Sequence, residues 1–196
     1  MGWELSEVEK PFVAQLVGMG WRHIAGDLDD PVVTGRARFA QVVQESVLRA
    51  KLMELNTRDG RPWLDDERIS QAVSAITRIG AAKLMEANRI ATDLLLKGIT
   101  VDGLPDWDGG RSQTIQYLDW AHPDRNQFTV INQYRVDCPP GYNSGKAFIV
   151  PDLVLLVNGI PLVVVECKSP AVQEPLAAAV DQLRRYSNQR RAHFEV

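Results

Sequence analysis

With 196 residues, 45% of them hydrophobic and 24% charged, the chain is long enough to bury a sizeable core and fits one large domain, or one with a helical annex. A net charge of −3, from 25 acidic against 22 basic residues, argues against a chain that is basic throughout, so any polyanion site has to come from a local patch. Two cysteines and three scattered histidines argue against a disulfide framework or a thiolate zinc centre, the opening MGWELSEVEK lacks a signal-peptide layout, and no apolar run reaches a membrane span; a reducing cytoplasm and no membrane partner are expected.

The first half reads helical. From Ser6 the apolar Val8, Phe12, Val13, Leu16 and Val17 recur at helical spacing, with Ser6 as N-cap, Glu9 as its capping-box partner, and Gly18 and Gly20 as the stop. Residues 27–35 form a polar loop. A second helix is expected over 38–56, with Phe39, Val42, Val43, Val47 and Leu48 on one side. A third pattern runs over 65–97 and breaks or bends near Gly80, since glycine weakens a helix interior by roughly 1 kcal/mol.

After the Gly- and Asp-rich stretch 98–110 come short runs of β-branched and aromatic residues at 114–120 and 128–136. A loop at 137–146 leads to two strands, 149–157 and 162–168, joined by Asn158-Gly159, a strong hairpin signal between apolar runs. A last helix is expected over 174–191. Helices, then three or four strands, then a helix give an α+β (mixed α/β) fold with a largely antiparallel sheet flanked by helices, a mainly helical section at 1–98 and a sheet-containing section at 111–196 within a single domain.

Chemistry concentrates in the two late strands. Asp152 follows Pro151, and 14 positions later stands Glu166-Cys167-Lys168. Alternation on a strand sends Glu166 and Lys168 to one side and Cys167 to the other. The charges interrupt apolar runs, 153–157 and 162–165, where burial is costly unless they are paired or bound to an ion. The hairpin lets Asp152 sit beside Glu166. Two carboxylates with a backbone carbonyl make a hard oxygen site suited to Mg²⁺, with Mn²⁺ able to substitute. A lysine beside them can hold the attacking water or offset charge on a phosphate, and together these parts suit phosphodiester hydrolysis.

Pro-Asp…Glu-x-Lys resembles the signature of the restriction-endonuclease-like PD-(D/E)xK nucleases. More narrowly, PDLVLLVNGIPLVVVECKSP, followed by Gln182-x-x-x-Tyr186 and preceded by Glu9-x-x-Phe12-Val13-x-x-Leu16 and Gly20-Trp21, resembles the nuclease region of the R (HsdR-type) subunit of type I restriction enzymes. The resemblance covers most of the chain. It implies a central mixed sheet flanked by helices, Asp152 and Glu166 as metal ligands with the Cys167 carbonyl as a third, and Lys168 as the catalytic lysine. It further implies Glu9 as an acidic residue reaching the site from the first helix, with Glu7 as the alternative, and Gln182 and Tyr186 on one helix face, holding the DNA backbone or positioning the lysine. Implied partners are duplex DNA and the modification and specificity subunits. Cysteine at 167 departs from the commoner aliphatic residue. No P-loop motif occurs, so ATP would serve only motor domains beyond these residues.

Blander readings stand beside these. The Asp152, Glu166 and Lys168 set could be solvent-facing strand charges or a structural ion pair. Glu9 could serve only its helix start, and Gln182 and Tyr186 could be polar surface and a half-buried aromatic. Arg185, with Arg184, Arg190 and Arg191, forms a late basic run that either meets phosphate or is a solvated face. Asp119 reads as the start of a turn; Cys138, His122 and His193 receive no role. Competing functions are a repair or Holliday-junction nuclease on the same fold and a non-catalytic module for docking DNA or protein.

Overall fold

A computed structural model describes residues 5–80, 84–138, 147–169 and 171–190. Among them are α1 (Lys10–Gly18), continuing a π-helical turn at Leu5–Glu9, then β1 (Arg22–Ala25), α2 (Glu45–Leu55), β2 (Thr57–Arg58), β3 (Arg61–Pro62), α3 (Asp66–Thr77) and α4 (Leu84–Lys97). There follow β4 (Ile99–Val101), β5 (Gln113–Ile115), β6 (Phe128–Asn132), β7 (Val136–Asp137), β8 (Phe148–Ile149), β9 (Leu153–Val157), β10 (Ile160–Val165) and α5 (Pro175–Arg190). The central sheet has the order β1-β6-β9-β10, parallel between β1 and β6 and antiparallel elsewhere, so the fold is mixed α+β as the sequence predicts.

Each face of this sheet buries its own apolar set. Val130, Leu153 and Cys167 meet Leu16 of α1 on one face, and Ile131, Val154 and Leu156 pack with Tyr134 and Tyr186 on the other. A larger cluster between α2, α3 and β4–β5 joins Leu48, Leu52, Ile69, Val73, Val101, Ile115 and Tyr117. Helices α2 and α3 thus share a core with β4–β5 beside the sheet, and Ile160 of β10 joins it.

Several expectations need correction. The first half contains β1, which the sequence analysis missed because Arg22-His23-Ile24-Ala25 carries no apolar alternation; its pairing with Thr129–Asn132 comes from far along the chain. The helix expected over 38–56 begins only at Glu45. Phe39 and Val43 are buried from irregular chain, where the Gln44 N–H donates to the Gly159 carbonyl at 2.9 Å. Asp59-Gly60, both at positive φ, turns the β2–β3 hairpin, an Asp-Gly signal left unread. β4 lies inside the Gly- and Asp-rich stretch, and the run at 114–120 supplies only the short β5. The break near Gly80 does occur: α3 ends at Thr77 and α4 starts at Leu84. The loop expected over 137–146 begins one residue late, since Asp137 belongs to β7; its residues 139–146, the Ser6 and Arg190 side chains, Arg191 and His193 lie outside the described residues.

The β9–β10 hairpin has the expected turn, with Asn158 at φ 53° and Gly159 at φ 80°. It is buried. The Asn158 side chain accepts from the Gln127 N–H at 2.8 Å and donates to the Tyr117 carbonyl at 2.9 Å, so a polar turn is fully paid out in hydrogen bonds inside the core. A Cβ on Gly159 would stand 2.7 Å from the Gln44 carbonyl oxygen and 3.2 Å from Val47. Gly159→Ala is therefore expected to destabilise the chain by roughly 3 kcal/mol, through overpacking and a left-handed backbone, as read by urea denaturation.

One irregularity shapes everything downstream. Ile160 and Pro161 pair with Val157 and Leu156, but Val163, Val164 and Val165 pair with Leu155, Val154 and Leu153. Leu162 is the extra residue of a bulge. One step further, the shifted register sets Glu166 across from Asp152.

Candidate active site at the ends of β9 and β10

Asp152 lies just before β9, where the main chain is clamped from the neighbouring strand. The Gln133 N–H donates to the Asp152 carbonyl at 2.9 Å and the Tyr134 N–H to the Pro151 carbonyl at 3.3 Å. The Asp152 carboxylate accepts the Cys167 N–H at 2.8 Å, which ties it to the segment leaving β10. Without the Leu162 bulge, Val165 would face Asp152 and Glu166 would point to the other side of the sheet.

Glu166 is held by three neighbours. Its side chain is 1% exposed and lies 3.8 Å from the Lys168 ammonium. Gln182 Nε2 donates to Glu166 Oε2 at 2.5 Å and to the Tyr186 hydroxyl at 2.7 Å, and that hydroxyl donates to the Val150 carbonyl at 3.0 Å. The i, i+4 pair on α5 thus bonds Glu166 and the main chain that leads to Asp152. Burial, with the Asp152 charge next, pushes the Glu166 carboxyl up to about 7, against the pull of Tyr186 and Lys168. Lys168 Nζ donates to the Cys167 carbonyl at 3.2 Å. The Cys167 side chain faces the opposite way, into the core, and burial raises its thiol to about 11.

Glu9 comes to the same end of the sheet from the other face. It is buried, whereas Glu7 is exposed. Its carboxylate turns from the helix start to the sheet and accepts from Asn132 Nδ2 at 3.1 Å. Burial pushes this carboxyl up, the Asn132 bond pulls it down, and the Asp152 charge pushes it up again. The basic run is looser. Arg185 is exposed, with its guanidinium 5.7 Å from the Tyr186 ring, and Arg184 sits 3.6 Å from Asp181 at the surface. Asp119 begins a turn, accepting from the His122 and Ala121 N–H groups at 2.9 and 3.1 Å.

Among the described residues no three His, Cys, Asp or Glu side chains converge into a ready-made metal cage. The oxygen donors gathered here are two carboxylates and a carbonyl. One of them, Glu166 Oε1, is buried without a hydrogen-bond partner among the described residues.

The family described as the type I restriction enzyme R protein N terminus matches residues 4–195. The chain belongs to that family. A type I restriction enzyme HindI endonuclease subunit of Haemophilus influenzae is 27% identical over 188 residues, covering 94% of this chain and 17% of the relative. A putative type I restriction enzyme MjaIXP endonuclease subunit of Methanocaldococcus jannaschii is 24% identical over 163 residues, covering 83% of this chain and 15% of the relative. This R-protein N-terminal region thus spans about one sixth of the length of the curated relatives it matches. The residues missed in the sequence are Asn132 and the bulged Leu162. Neither carries a local motif, and both matter through partners distant in sequence.

Proposed function

We propose that this R-protein N-terminal region is the DNA-cutting module of a type I restriction enzyme, hydrolysing phosphodiester bonds of duplex DNA with Mg²⁺. The observation that carries this reading is the buried Glu166 carboxylate set beside Asp152, with one oxygen unpartnered among the described residues and Lys168 next to it. A carboxylate in such a place is costly unless a cation joins it. The donor set of Asp152, Glu166 and the Cys167 carbonyl is all oxygen and would leave the remaining coordination positions to water and phosphate, which suits Mg²⁺ or Mn²⁺.

When bound, the ion would supply Lewis-acid activation of the phosphate and of the attacking water. The protein's own share is positional. Asp152 and Glu166 would hold the ion, Gln182 and Tyr186 would fix the rotamer of Glu166, and Lys168 would orient the attacking water and offset charge growing on the phosphate. Arg185 would steady the DNA backbone from α5. Motor activity with ATP, and assembly with modification and specificity subunits in the cytoplasm, would belong to a longer chain of the relatives' kind.

The first test is calorimetric titration of Mn²⁺ or Mg²⁺, with and without a short duplex, on wild type and on Asp152→Ala. About one ion per chain in wild type and none in the variant is the expected result. An Asp152→Ala chain that binds as wild type does would remove the assignment. Failure of wild type to bind even with the duplex would favour a docking role.

A further inference from the structure

A polar chain that no local motif announces runs along the β1–β6 side of the site. Asn132 closes β6, and its side chain bridges two elements: Nδ2 donates to Glu9 Oε1 at 3.1 Å, and Oδ1 lies 3.0 Å from His23 Nε2 on β1. The orientation of the amide follows from chemistry, since the reverse would press its carbonyl oxygen against the Glu9 carboxylate. With Oδ1 facing β1, His23 has to present Nε2–H, which both the neutral Nε2 tautomer and the cation provide. The parallel pairing of His23 with Val130 and of Ala25 with Asn132 fixes the strands that carry both groups. Gly26 then passes so close that a Cβ there would lie 2.3 Å from the Asn132 carbonyl oxygen, while the Gly26 N–H donates to that oxygen at 3.0 Å. The Asn132 main chain is thus held from one side and its side chain from two.

From this geometry we infer that Asn132, braced by His23, is a positioning residue that holds the Glu9 carboxylate at the Asp152 side of the site and so strengthens its hold on a divalent cation. The inference rests on the metal-site reading above. Glu9 is buried, and its charge is felt alongside that of Asp152. A third carboxylate near the pair adds negative potential where a dication would sit, without needing to contact it. Left untethered, a buried glutamate on the first turns of a helix would take up its proton or swing to solvent, and the site would lose that charge.

The test is Mn²⁺ titration in the presence of a short duplex, on wild type, Asp152→Ala, Glu9→Gln, Asn132→Leu, the double variant Glu9→Gln/Asn132→Leu, His23→Leu and His23→Gln, each with its melting temperature. Asn132→Leu should weaken Mn²⁺ binding roughly tenfold, the scale typical of losing a group that orients a ligand. The double variant should bind no worse than Glu9→Gln, because both remove the same charge from the same place. His23 is exposed, so His23→Leu should fold normally and show a smaller loss, which His23→Gln restores with its own N–H donor. Losses that multiply in the double variant, or equal affinities for His23→Leu and His23→Gln, overturn the inference. Loss of binding in Asp152→Ala with wild-type affinity in Asn132→Leu overturns the positioning role alone. Absence of binding in wild type overturns both this role and the metal-site reading.

Discussion

Lys168→Ala is expected to cut duplex DNA at least ~10³-fold more slowly than wild type, the scale of removing a group that stabilises transition-state charge. Its ion binding should survive, weakened or strengthened by less than about tenfold, because the side chain contributes a charge beside Glu166 and no oxygen donor. The fold should survive too. Lys168 is partly exposed, it donates to the adjacent Cys167 carbonyl, and a melting-temperature change within about 2 °C follows for a chain of this size. Asp152→Ala differs in kind, since it removes a carboxylate and leaves the Cys167 N–H without its acceptor. Single-turnover nicking of supercoiled plasmid by the intact restriction subunit, with calorimetry on the same variants, separates the two losses. Nicking by Lys168→Ala at the wild-type rate would falsify the lysine's role.

Glu166→Gln should stabilise the metal-free chain at pH 8 and change it little at pH 4. The Glu166 carboxyl stands at 4.5 when unperturbed and is pushed up to about 7 in the folded chain, by burial first and by Asp152 second. Below about pH 4.5 it is protonated in both folded and unfolded chains, and the folded state gains its full advantage. Between about pH 4.5 and 7 the unfolded chain gives up its proton first, so stability falls as pH rises through the folded value. The loss at pH 8 is up to about 3 kcal/mol, and the amide of Glu166→Gln abolishes it because nothing ionises. A divalent cation would act in the opposite direction. It displaces the proton, so its apparent affinity should climb about tenfold per pH unit up to pH 7 and then level off. Thermal melts of both chains from pH 4 to 8, with chelator and then with Mn²⁺, measure both trends. A wild-type profile that Glu166→Gln leaves unaltered would show that another group carries the dependence.

The site was legible where its parts are close in sequence or lie on one regular element. Asp152, Glu166 and Lys168 belong to a single hairpin whose Asn-Gly turn is visible in the sequence, and Gln182 and Tyr186 are one helical turn apart on α5. The fold class followed from the same local patterns. What escaped depends on chain segments far apart. β1 has only one aliphatic residue beyond alanine, and its place in the sheet is set by β6, more than a hundred positions later. Asn132 is an ordinary strand-end residue until Glu9 and His23 are brought to either side of it. Residues 38–44 carry a helix-like apolar pattern, yet the Gln44 N–H donates to the Gly159 carbonyl and the Gln44 side chain to the Thr34 carbonyl, and tertiary hydrogen bonds outweigh the local preference. Glu9 had a sufficient local explanation in a capping box, and only its burial against the sheet shows where it points.

The extra residue at Leu162 makes the hairpin a parity device. Counted from the turn, an even ladder would offer Val165 to Asp152, and one added residue exchanges that valine for a glutamate. Straightening the ladder at full length would rotate the acidic group to the face occupied by α1, whereas deleting one residue within 160–165 would remove the bulge itself and leave Glu166 opposite Asp152. Paired insertions or deletions would preserve it. Homologous hairpins that keep this chemistry are therefore free to lengthen or shorten by two residues at a time, and an odd change in the interval from Asp152 to Glu166 has to be matched by gain or loss of a bulge.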